Sequence, residues 1–273
     1  MDARLQLRVQ KYGWDKASAH YERFWASQLQ PAQDALVSMA ALEPGEHVLD
    51  VACGTGLVTL RAASAVGPAG SVVGTDLSNT MVDAARTEFL RRGIDARFVE
   101  MNAERLDFPD ASFDVVLCAL GLMYVPNPAQ ALSEMFRVVR PGGRVITSVW
   151  GARRDCGWAE IFPIVEQRVA SDVCPLFFQL GSGSVLADAL STAGFSDVES
   201  RSLAERLRYA TPGDAVGAAF IGGPVALAYS RFDDATRRSA EAEYLESIAA
   251  FRTRDGYDVP GSFVVARGVR PRP

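Results

Sequence analysis

The chain has 273 residues, of which 48% are hydrophobic and 22% charged, and its formal net charge is −5. This composition predicts one globular domain with a sizeable core, and the acidic balance, without a basic run, disfavours a nucleic-acid partner. The sequence contains no stretch of about 18 apolar residues that could span a membrane, and its amino terminus, Met1-Asp2-Ala3-Arg4, lacks the apolar core of a signal peptide. We therefore expect a cytoplasmic protein.

The amino-terminal segment, residues 1–42, is predicted to be helical, with a break at Gln30-Pro31. Its large apolar residues recur at helical spacing: Tyr21, Phe24, Trp25 and Leu29. The segment is either a helical layer packed on a sheet or a lid over a ligand site. His20, beside this apolar stripe, is either a solvated helix residue or a general base above the ligand.

The most informative segment is His47–Gly56, which reads HVLDVACGTG. It predicts a buried strand, a glycine turn and then a helix whose free N–H groups face a ligand. Gly54 and Gly56 permit the tight turn. The next apolar segment ends at Asp76, 22 positions after Gly54, where a nucleoside site places an acid for the ribose hydroxyls.

Two residues disfavour a dinucleotide, and with it a nicotinamide-dependent dehydrogenase. Thr59 stands where a dinucleotide fold has its third glycine. Asp50 would repel a pyrophosphate, whereas it suits a ligand with an amino group.

Strands and helices alternate over residues 45–150, which predicts a parallel sheet with helices on both faces. The predicted strands are 47–51, 71–75, 96–100, 113–118 and 144–149, and the predicted helices are 57–66, 79–92 and 128–139. Beyond Trp150 the pattern predicts helices at 158–169 and 183–193, a strand at 198–207, an insertion at 211–256 and a last strand at 261–269. Ligands of such sheets bind at the carboxyl ends of the strands.

At these motifs the chain resembles the class I S-adenosylmethionine-dependent methyltransferases, in particular the small-molecule group that includes the ubiquinone and menaquinone enzymes. The resemblance is carried by Asp50–Gly56, Phe98–Glu104, Ser112–Cys118 and the turn Pro141-Gly142-Gly143. It implies a Rossmann-like three-layer α/β sandwich with a seven-stranded, mostly parallel sheet, an antiparallel last strand and a helical cap. Within one domain, the lid would be 1–42, the core 43–210, the cap 211–256, and the last strand and tail 257–273.

The resemblance also implies S-adenosylmethionine as cofactor, with S-adenosylhomocysteine as product. Asp76 would hold the ribose, Asp50 would lie near the amino group, and Tyr12 would reach the methionine carboxylate. Asn102 would flank the adenine, with Ala103 supplying a backbone N–H. The other residues expected at the cofactor are Ala52, Cys53, Gly54, Gly56, Leu77, Met81 and Cys118.

The loop 118–124 bears on the methyl acceptor, because enzymes that methylate nucleic-acid bases often carry a polar Pro-Pro-aromatic tetrad there and this chain does not. We expect an in-line transfer to a small, aromatic or apolar acceptor (C, N or O), driven mainly by alignment. The candidate acceptor residues are His20, Leu120, Trp150 and Phe220. Two alternatives remain: an accessory protein that binds the cofactor without turnover, and an enzyme that acts on protein or RNA. A homodimer is also possible.

The four cysteines are Cys53, Cys118, Cys156 and Cys174, and none forms a pair with metal-binding spacing. We expect free thiols and no metal. One alternative, suggested by the related arsenite methyltransferases, is that Cys156 and Cys174 meet in the fold and hold arsenic.

Overall fold

The computed structural model of the chain describes residues 3–169 and 177–273. Its α-helices are α1 Ala3–Ala40, α2 Leu57–Val66, α3 Asn79–Arg92, α4 Pro128–Val138, α5 Ile161–Glu166, α6 Val185–Thr192, α7 Pro212–Val216, α8 Ala226–Ser230 and α9 Asp234–Ser247. Its strands are β1 His47–Val51, β2 Ser71–Asp76, β3 Arg97–Glu100, β4 Phe113–Ala119, β5 Val139–Trp150, β6 Ser196–Tyr209, β7 Arg252–Thr253 and β8 Gly256–Val269. A π-helical turn, Gly217–Ile221, joins α7 to the segment before α8.

The strands form one sheet in the order β3-β2-β1-β4-β5-β8-β6, and the two-residue β7 pairs with β8. Strands β1 to β5 are parallel, and β8 runs antiparallel between β5 and β6. The predicted Rossmann-like sheet with an antiparallel last strand is confirmed, with β7 as an eighth strand. The order reverses between β1 and β4, and ligands bind at such a switch point.

Both faces of the sheet are covered, because alternate residues of each strand point to opposite sides. On β1, Val48 joins a cluster with residues of α1 and α2, whereas Leu49 and Val51 join the larger cluster that contains α4 and α6. Each large aliphatic side chain buried in this way stabilises the fold by roughly 1.5–3 kcal/mol.

The predicted break at Pro31 is wrong, because α1 runs without interruption from Ala3 to Ala40 with Pro31 inside it. An interior proline costs about 3 kcal/mol through one lost hydrogen bond and a clash. Buried side chains lie on both sides of it, Trp25 and Leu29 before and Leu36 after. Their packing offsets the local cost.

Two strands, β5 and β8, begin several residues earlier than predicted. β5 begins at Val139 rather than 144, because Val139 pairs with Phe113 before an irregularity in the ladder. β8 begins at Gly256 rather than 261 because its first residues pair with β7 and the end of β6. The helix predicted at 158–169 is shorter, since α5 covers Ile161–Glu166.

The insertion 211–256 folds mainly as α7, the π-helical turn, α8 and α9, and it packs on α1 and α5. Together with α1 it covers the carboxyl ends of the central strands. No helix among the described residues is long and apolar enough to cross a lipid bilayer.

Candidate functional site

The turn after β1 is the structural centre of the site. Ala52, Gly54 and Gly56 all have left-handed backbone conformations, with φ of 57°, 55° and 88°. Gly56 precedes α2, and a Cβ built there would lie 3.0 Å from the Phe89 ring. Glycine at position 56 therefore lets the turn before α2 approach the Phe89 side chain of α3.

Ala52 holds the same left-handed conformation with a side chain, which L-residues adopt at a cost of about 1–2 kcal/mol. A glycine at position 52 would adopt this conformation without that cost. The Ala52 Cβ lies against the loop after β4, so close that a Cβ built on Gly121 would be 2.4 Å from it. The residue types at these two positions are therefore coupled.

Asp76 ends β2 with its carboxylate fixed by two backbone groups. Its Oδ2 accepts the Gly54 N–H at 2.9 Å, and its Oδ1 accepts the Ser78 N–H, also at 2.9 Å. Burial raises the pKa of Asp76 to about 6, although these hydrogen bonds act in the opposite direction. Each oxygen keeps a lone pair, so the carboxylate can still accept hydroxyl donors.

Asp50 is completely buried at the heart of the sheet. Its Oδ2 accepts the Thr59 hydroxyl at 2.6 Å, whereas its Oδ1 has no hydrogen-bond partner. Burial raises the pKa of Asp50 to about 7. A buried carboxylate oxygen without a partner is costly, so this position suits a ligand that brings a cationic donor.

The main cavity has a volume of about 1070 Å³ and extends from the carboxyl edge of the sheet to the underside of α1. At one end it is lined by residues of the sheet edge and the loops that follow it: Ala52, Gly54, Asp76, Leu77, Met81, Met101, Asn102 and Ala103. A smaller cavity of about 300 Å³ adjoins Asp50, Cys53 and Gln33. Tyr21, Ala52, Gly54 and Ala119 line both spaces, which are therefore adjacent.

The other end of the main cavity, which we call the aromatic chamber, is lined by Trp14, Tyr21, Trp25, Leu120, Tyr124, Trp150, Trp158, Ile161, Phe177 and Ala219. The rings of Trp25, Trp150 and Trp158 pack edge to face, with centroids 4.7–6.2 Å apart. Along the whole described lining, Asp76 is the one acidic residue, and no histidine, lysine or arginine takes part. The described lining of the chamber is therefore mainly aromatic and carries no charge.

α1 forms the roof, and two sets of polar contacts attach it to the sheet edge. Asp15 accepts hydrogen bonds from the hydroxyls of Ser78 at 2.6 Å and Thr80 at 3.0 Å. Lys11 forms an ion pair with Glu100 at the end of β3. Ser78 is also the N-cap of α3, so the roof is fixed to the residue that begins this helix.

Most residues predicted for the site line a cavity. Seven of the cofactor candidates line the main cavity, namely Ala52, Gly54, Asp76, Leu77, Met81, Asn102 and Ala103, and so do Leu120 and Trp150 of the acceptor candidates. Asp50 and Cys53 line the smaller one. The Asn102 side chain also has a local role, because its Oδ1 accepts the Glu104 N–H at 3.0 Å.

Five predicted residues lie elsewhere. Tyr12 is 55% exposed and His20 is also exposed, because helical periodicity turns both away from the face that carries Trp14. Phe220 is fully buried, packed on Tyr229 and Tyr244, and the neighbouring Ala219 lines the cavity instead. Gly56 and Cys118 lie behind the turns and line neither cavity.

The sequence did not identify Trp14, Trp158 and Phe177 as lining residues, and it placed Tyr21 on an apolar stripe of the helical layer or lid without naming it as a site residue. Tyr21 lines both cavities and lies close enough to Asp50 and Asp76 for their charges to raise its pKa, in addition to the larger effect of burial. The helical spacing of Trp14 and Tyr21 was a signal that could have identified them as one inward face.

The three described cysteines are buried and have free thiols. Burial raises the pKa of both Cys118 and Cys156 to about 12, so neither thiol ionises near neutral pH. Cys174 lies outside the described residues, so the structure does not test the alternative that Cys156 and Cys174 meet in the fold and hold arsenic. Among the described residues no cluster of potential metal ligands occurs.

Residues 48–143 match the family model described as "Methyltransferase domain". Two curated relatives are ubiquinone/menaquinone biosynthesis C-methyltransferases UbiE. That of Ectopseudomonas mendocina is 43% identical over 112 residues, 40% of this chain and 44% of the relative. That of Burkholderia mallei is 39% identical over 140 residues, 50% of this chain and 55% of the relative. The chain thus spans about half the length of these relatives.

Solved structures share the fold at low sequence identity. The YcgJ protein of Bacillus subtilis is 19% identical, with a TM-score of 0.64 over 89% of this chain and 100% of that one. A phosphoethanolamine N-methyltransferase 2 of Haemonchus contortus, solved with S-adenosylhomocysteine, is 18% identical, with a TM-score of 0.64 over 100% of this chain and 61% of that one. The [4+2]-cyclase SpnF is 21% identical, with a TM-score of 0.58 over 89% of this chain and 81% of that one.

The solved structures establish the fold. The family model and the UbiE relatives match only part of the chain, and for the family model this part is residues 48–143. The glycine turn, the terminal acid of β2 and the buried acid of β1 lie in that matched region. Residues 48–143 of the chain therefore match a methyltransferase domain, on a fold shared with solved methyltransferase structures.

Proposed function

We propose that the chain transfers a methyl group from S-adenosylmethionine to a small, uncharged acceptor with an aromatic or apolar body. The observation that carries this proposal is the continuity of the main cavity. At one end of the cavity Asp76, the acid expected to bind the ribose, lies beside the glycine turn. The other end is the aromatic chamber.

The residues present fit the cofactor. Asp76 would accept the ribose hydroxyls, while Leu77, Met81, Asn102 and Ala103 would surround the adenine. The amino group of the cofactor would donate a hydrogen bond to Oδ1 of Asp50, the oxygen that has no partner within the protein. Left-handed backbone at Ala52 and Gly54 exposes the turn to the methionine portion.

The bound cofactor supplies a methyl group already activated on a sulfonium. The chain then has to align the acceptor with that group and exclude water, and alignment alone supplies up to about 7–11 kcal/mol of the barrier. Tyr21 lines both spaces and would lie where the two ligands meet. Burial raises the pKa of Tyr21, so its phenol stays protonated and acts by positioning rather than as a base.

The acceptor class follows from the chamber. A charged acceptor would lose its hydration among tryptophan and phenylalanine rings without gaining a counter-ion, which is strongly unfavourable. An uncharged planar molecule would gain edge and face contacts with the same rings. The absence of a basic side chain in the described lining favours acceptors that react without a strong base.

Calorimetric titration with S-adenosylmethionine and S-adenosylhomocysteine tests the cofactor assignment. Asp76→Ala should abolish measurable binding, and Asp95→Ala, which removes an exposed carboxylate outside the cavities, should not. NAD serves as a negative ligand. Binding of NAD in preference to both sulfur ligands would overturn the proposal.

The acceptor is tested next by release of S-adenosylhomocysteine from S-adenosylmethionine in the presence of matched pairs of compounds. Each pair contains an uncharged aromatic acceptor and its carboxylate analogue. Turnover should occur with the uncharged members. Turnover confined to the carboxylates would contradict the proposed acceptor class, and cofactor binding without turnover on any compound would favour the accessory role.

A further inference from the structure

We propose that the outward face of α1 binds an anionic lipid surface and thereby presents the aromatic chamber to acceptors dissolved in lipid. We call this face the outward stripe, and it comprises Leu5, Arg8, Tyr12, Lys16, Ala19 and Arg23, all exposed. At 100° per residue these six positions fall within a sector of about 80° on the helix. The cavity-lining residues Leu7, Gln10, Trp14 and Tyr21 lie on the opposite side.

The outward stripe is positively charged in a chain whose net charge is −5. Arg8, Lys16 and Arg23 form no ion pair with any described residue, and the Arg23 guanidinium lies over the Phe24 ring at 5.0 Å. The nearest acids do not neutralise the stripe. Asp15 is turned to the hydroxyls of Ser78 and Thr80, and Glu22 lies about 40° outside the sector.

Apolar side chains interrupt these cations, and this favours lipid over nucleic acid as the occupant. Across the described chain four large hydrophobic residues are exposed, and two of them, Leu5 at 39% and Tyr12 at 55%, lie on the stripe. Interfacial helices bind lipid through both cations and aliphatic or aromatic side chains, and the outward stripe offers both kinds. Tyrosine prefers the headgroup level, and arginine and lysine attract anionic headgroups.

The position of the stripe connects docking with the acceptor. The same helix has its opposite face on the aromatic chamber, so a docked protein has the roof of its apolar site against the lipid. The part of this inference that concerns acceptor supply rests on the proposed function. The docking itself stands on the exposed residues of α1 alone.

Vesicle co-sedimentation with the full chain tests the docking. The probes are vesicles of phosphatidylcholine alone and vesicles that also contain phosphatidylglycerol. The triple variant Arg8→Glu, Lys16→Glu, Arg23→Glu reverses the stripe. Its control, Arg201→Glu, Arg238→Glu, Arg254→Glu, makes the same change of net charge at exposed arginines elsewhere. A second variant, Leu5→Ser with Tyr12→Ser, removes only the apolar part.

We expect the wild-type chain to sediment with the anionic vesicles and to be released by salt. Each lost cation should weaken binding about fivefold, so the stripe variant should bind at least about a hundredfold more weakly. The control should retain binding, and the serine variant should bind more weakly without a change in salt dependence.

Three results would overturn the inference: no binding of the wild type to anionic vesicles, equal loss in the stripe and control variants, or binding to a labelled nucleic-acid duplex in place of vesicles. S-adenosylhomocysteine titration of the wild type and the stripe variant, made in parallel, verifies folding. It also separates the two proposals, because failure of cofactor binding in the wild type leaves the vesicle result intact.

Discussion

The Cβ of Ala52 fills the space that a side chain at Gly121 would need, since a Cβ built on Gly121 would lie 2.4 Å from it. The two residues come from the turns after β1 and β4, the neighbouring strands between which the strand order reverses. A methyl group at position 52 therefore obliges position 121 to remain glycine.

Gly121→Ala should lower the free energy of unfolding by about 1–3 kcal/mol through overpacking. Ala52→Gly should partly rescue it, because the remaining neighbours of the new methyl group, the Cys118 Sγ and the Ala52 Cα, are 3.2 and 3.7 Å away. Denaturant unfolding of the two single variants and the double variant measures the coupling. Additive effects would show that the two turns do not share this space.

Asp50 should make the stability of the ligand-free protein depend on pH. Its pKa is raised from 3.8 to about 7, so the folded state holds a proton that the unfolded state loses first. The contribution of Asp50 to stability is therefore greatest below its unfolded-state pKa of 3.8 and is lost as the pH rises from there to about 7. Asp76 acts in the same direction up to about pH 6. Asp50→Asn should flatten the upper part of this slope in thermal unfolding curves.

Binding of S-adenosylhomocysteine should show the opposite trend, because its amino group requires the ionised form of Asp50. Affinity should increase with pH up to about pH 7, by at most about tenfold per unit for this group. In Asp50→Asn the affinity should be low and the increase near pH 7 absent. A pH profile identical to that of the wild type would mean that Asp50 does not meet the amino group.

The attachment of the roof through Asp15 should matter for cofactor affinity. Asp15→Ala removes two hydrogen bonds to Ser78 and Thr80, and each such bond contributes about 1 kcal/mol. We expect binding of S-adenosylhomocysteine to weaken by up to about thirtyfold at about pH 8, where Asp76 is ionised. Glu22→Ala, which removes an exposed acid of the same helix, is the control and should bind normally.

Phe220 and Trp150 should separate stability from acceptor recognition. Phe220→Leu leaves a void in the core of the cap, so it should lower the melting temperature while the KM for an acceptor stays unchanged. Trp150→Phe alters the chamber wall and should change that KM.

His20→Ala should leave turnover unchanged, since His20 is exposed and lines neither cavity. Loss of turnover in His20→Ala would restore the general-base interpretation.

The sheet and the nucleoside end of the site were predictable because their signals are local. An apolar strand, a glycine turn and a terminal acid lie within a few positions of one another at Gly54 and at Asp76. Parallel topology then brings the ends of β1 and β2 together without further information. The observed strands differ from the predicted ones most where pairing with a partner distant in sequence extends the strand, as at Val139.

The aromatic chamber was predicted poorly because its residues come from segments far apart in sequence. Trp14, Trp158 and Phe177 are each unremarkable in their local sequence, and their proximity depends on how α1 and the segment after β5 fold over the sheet. Tyr12 was chosen by its match to a tyrosine of similar enzymes. A displacement of two positions on a helix rotates a side chain by about 200°, which is enough to turn it from the cavity to the surface.

The continuity of α1 through Pro31 has a mechanical consequence for exchange at the site. The carboxyl-terminal part of the helix packs into the core through Leu36 and Met39, and the amino-terminal part forms the roof. The packed part and the roof therefore belong to one continuous helix. Opening the site at the roof requires α1 to bend, because no separate loop or flap connects the two parts. Pro31 removes one intrahelical hydrogen bond between these two parts, and the least resistance to bending is therefore at this residue.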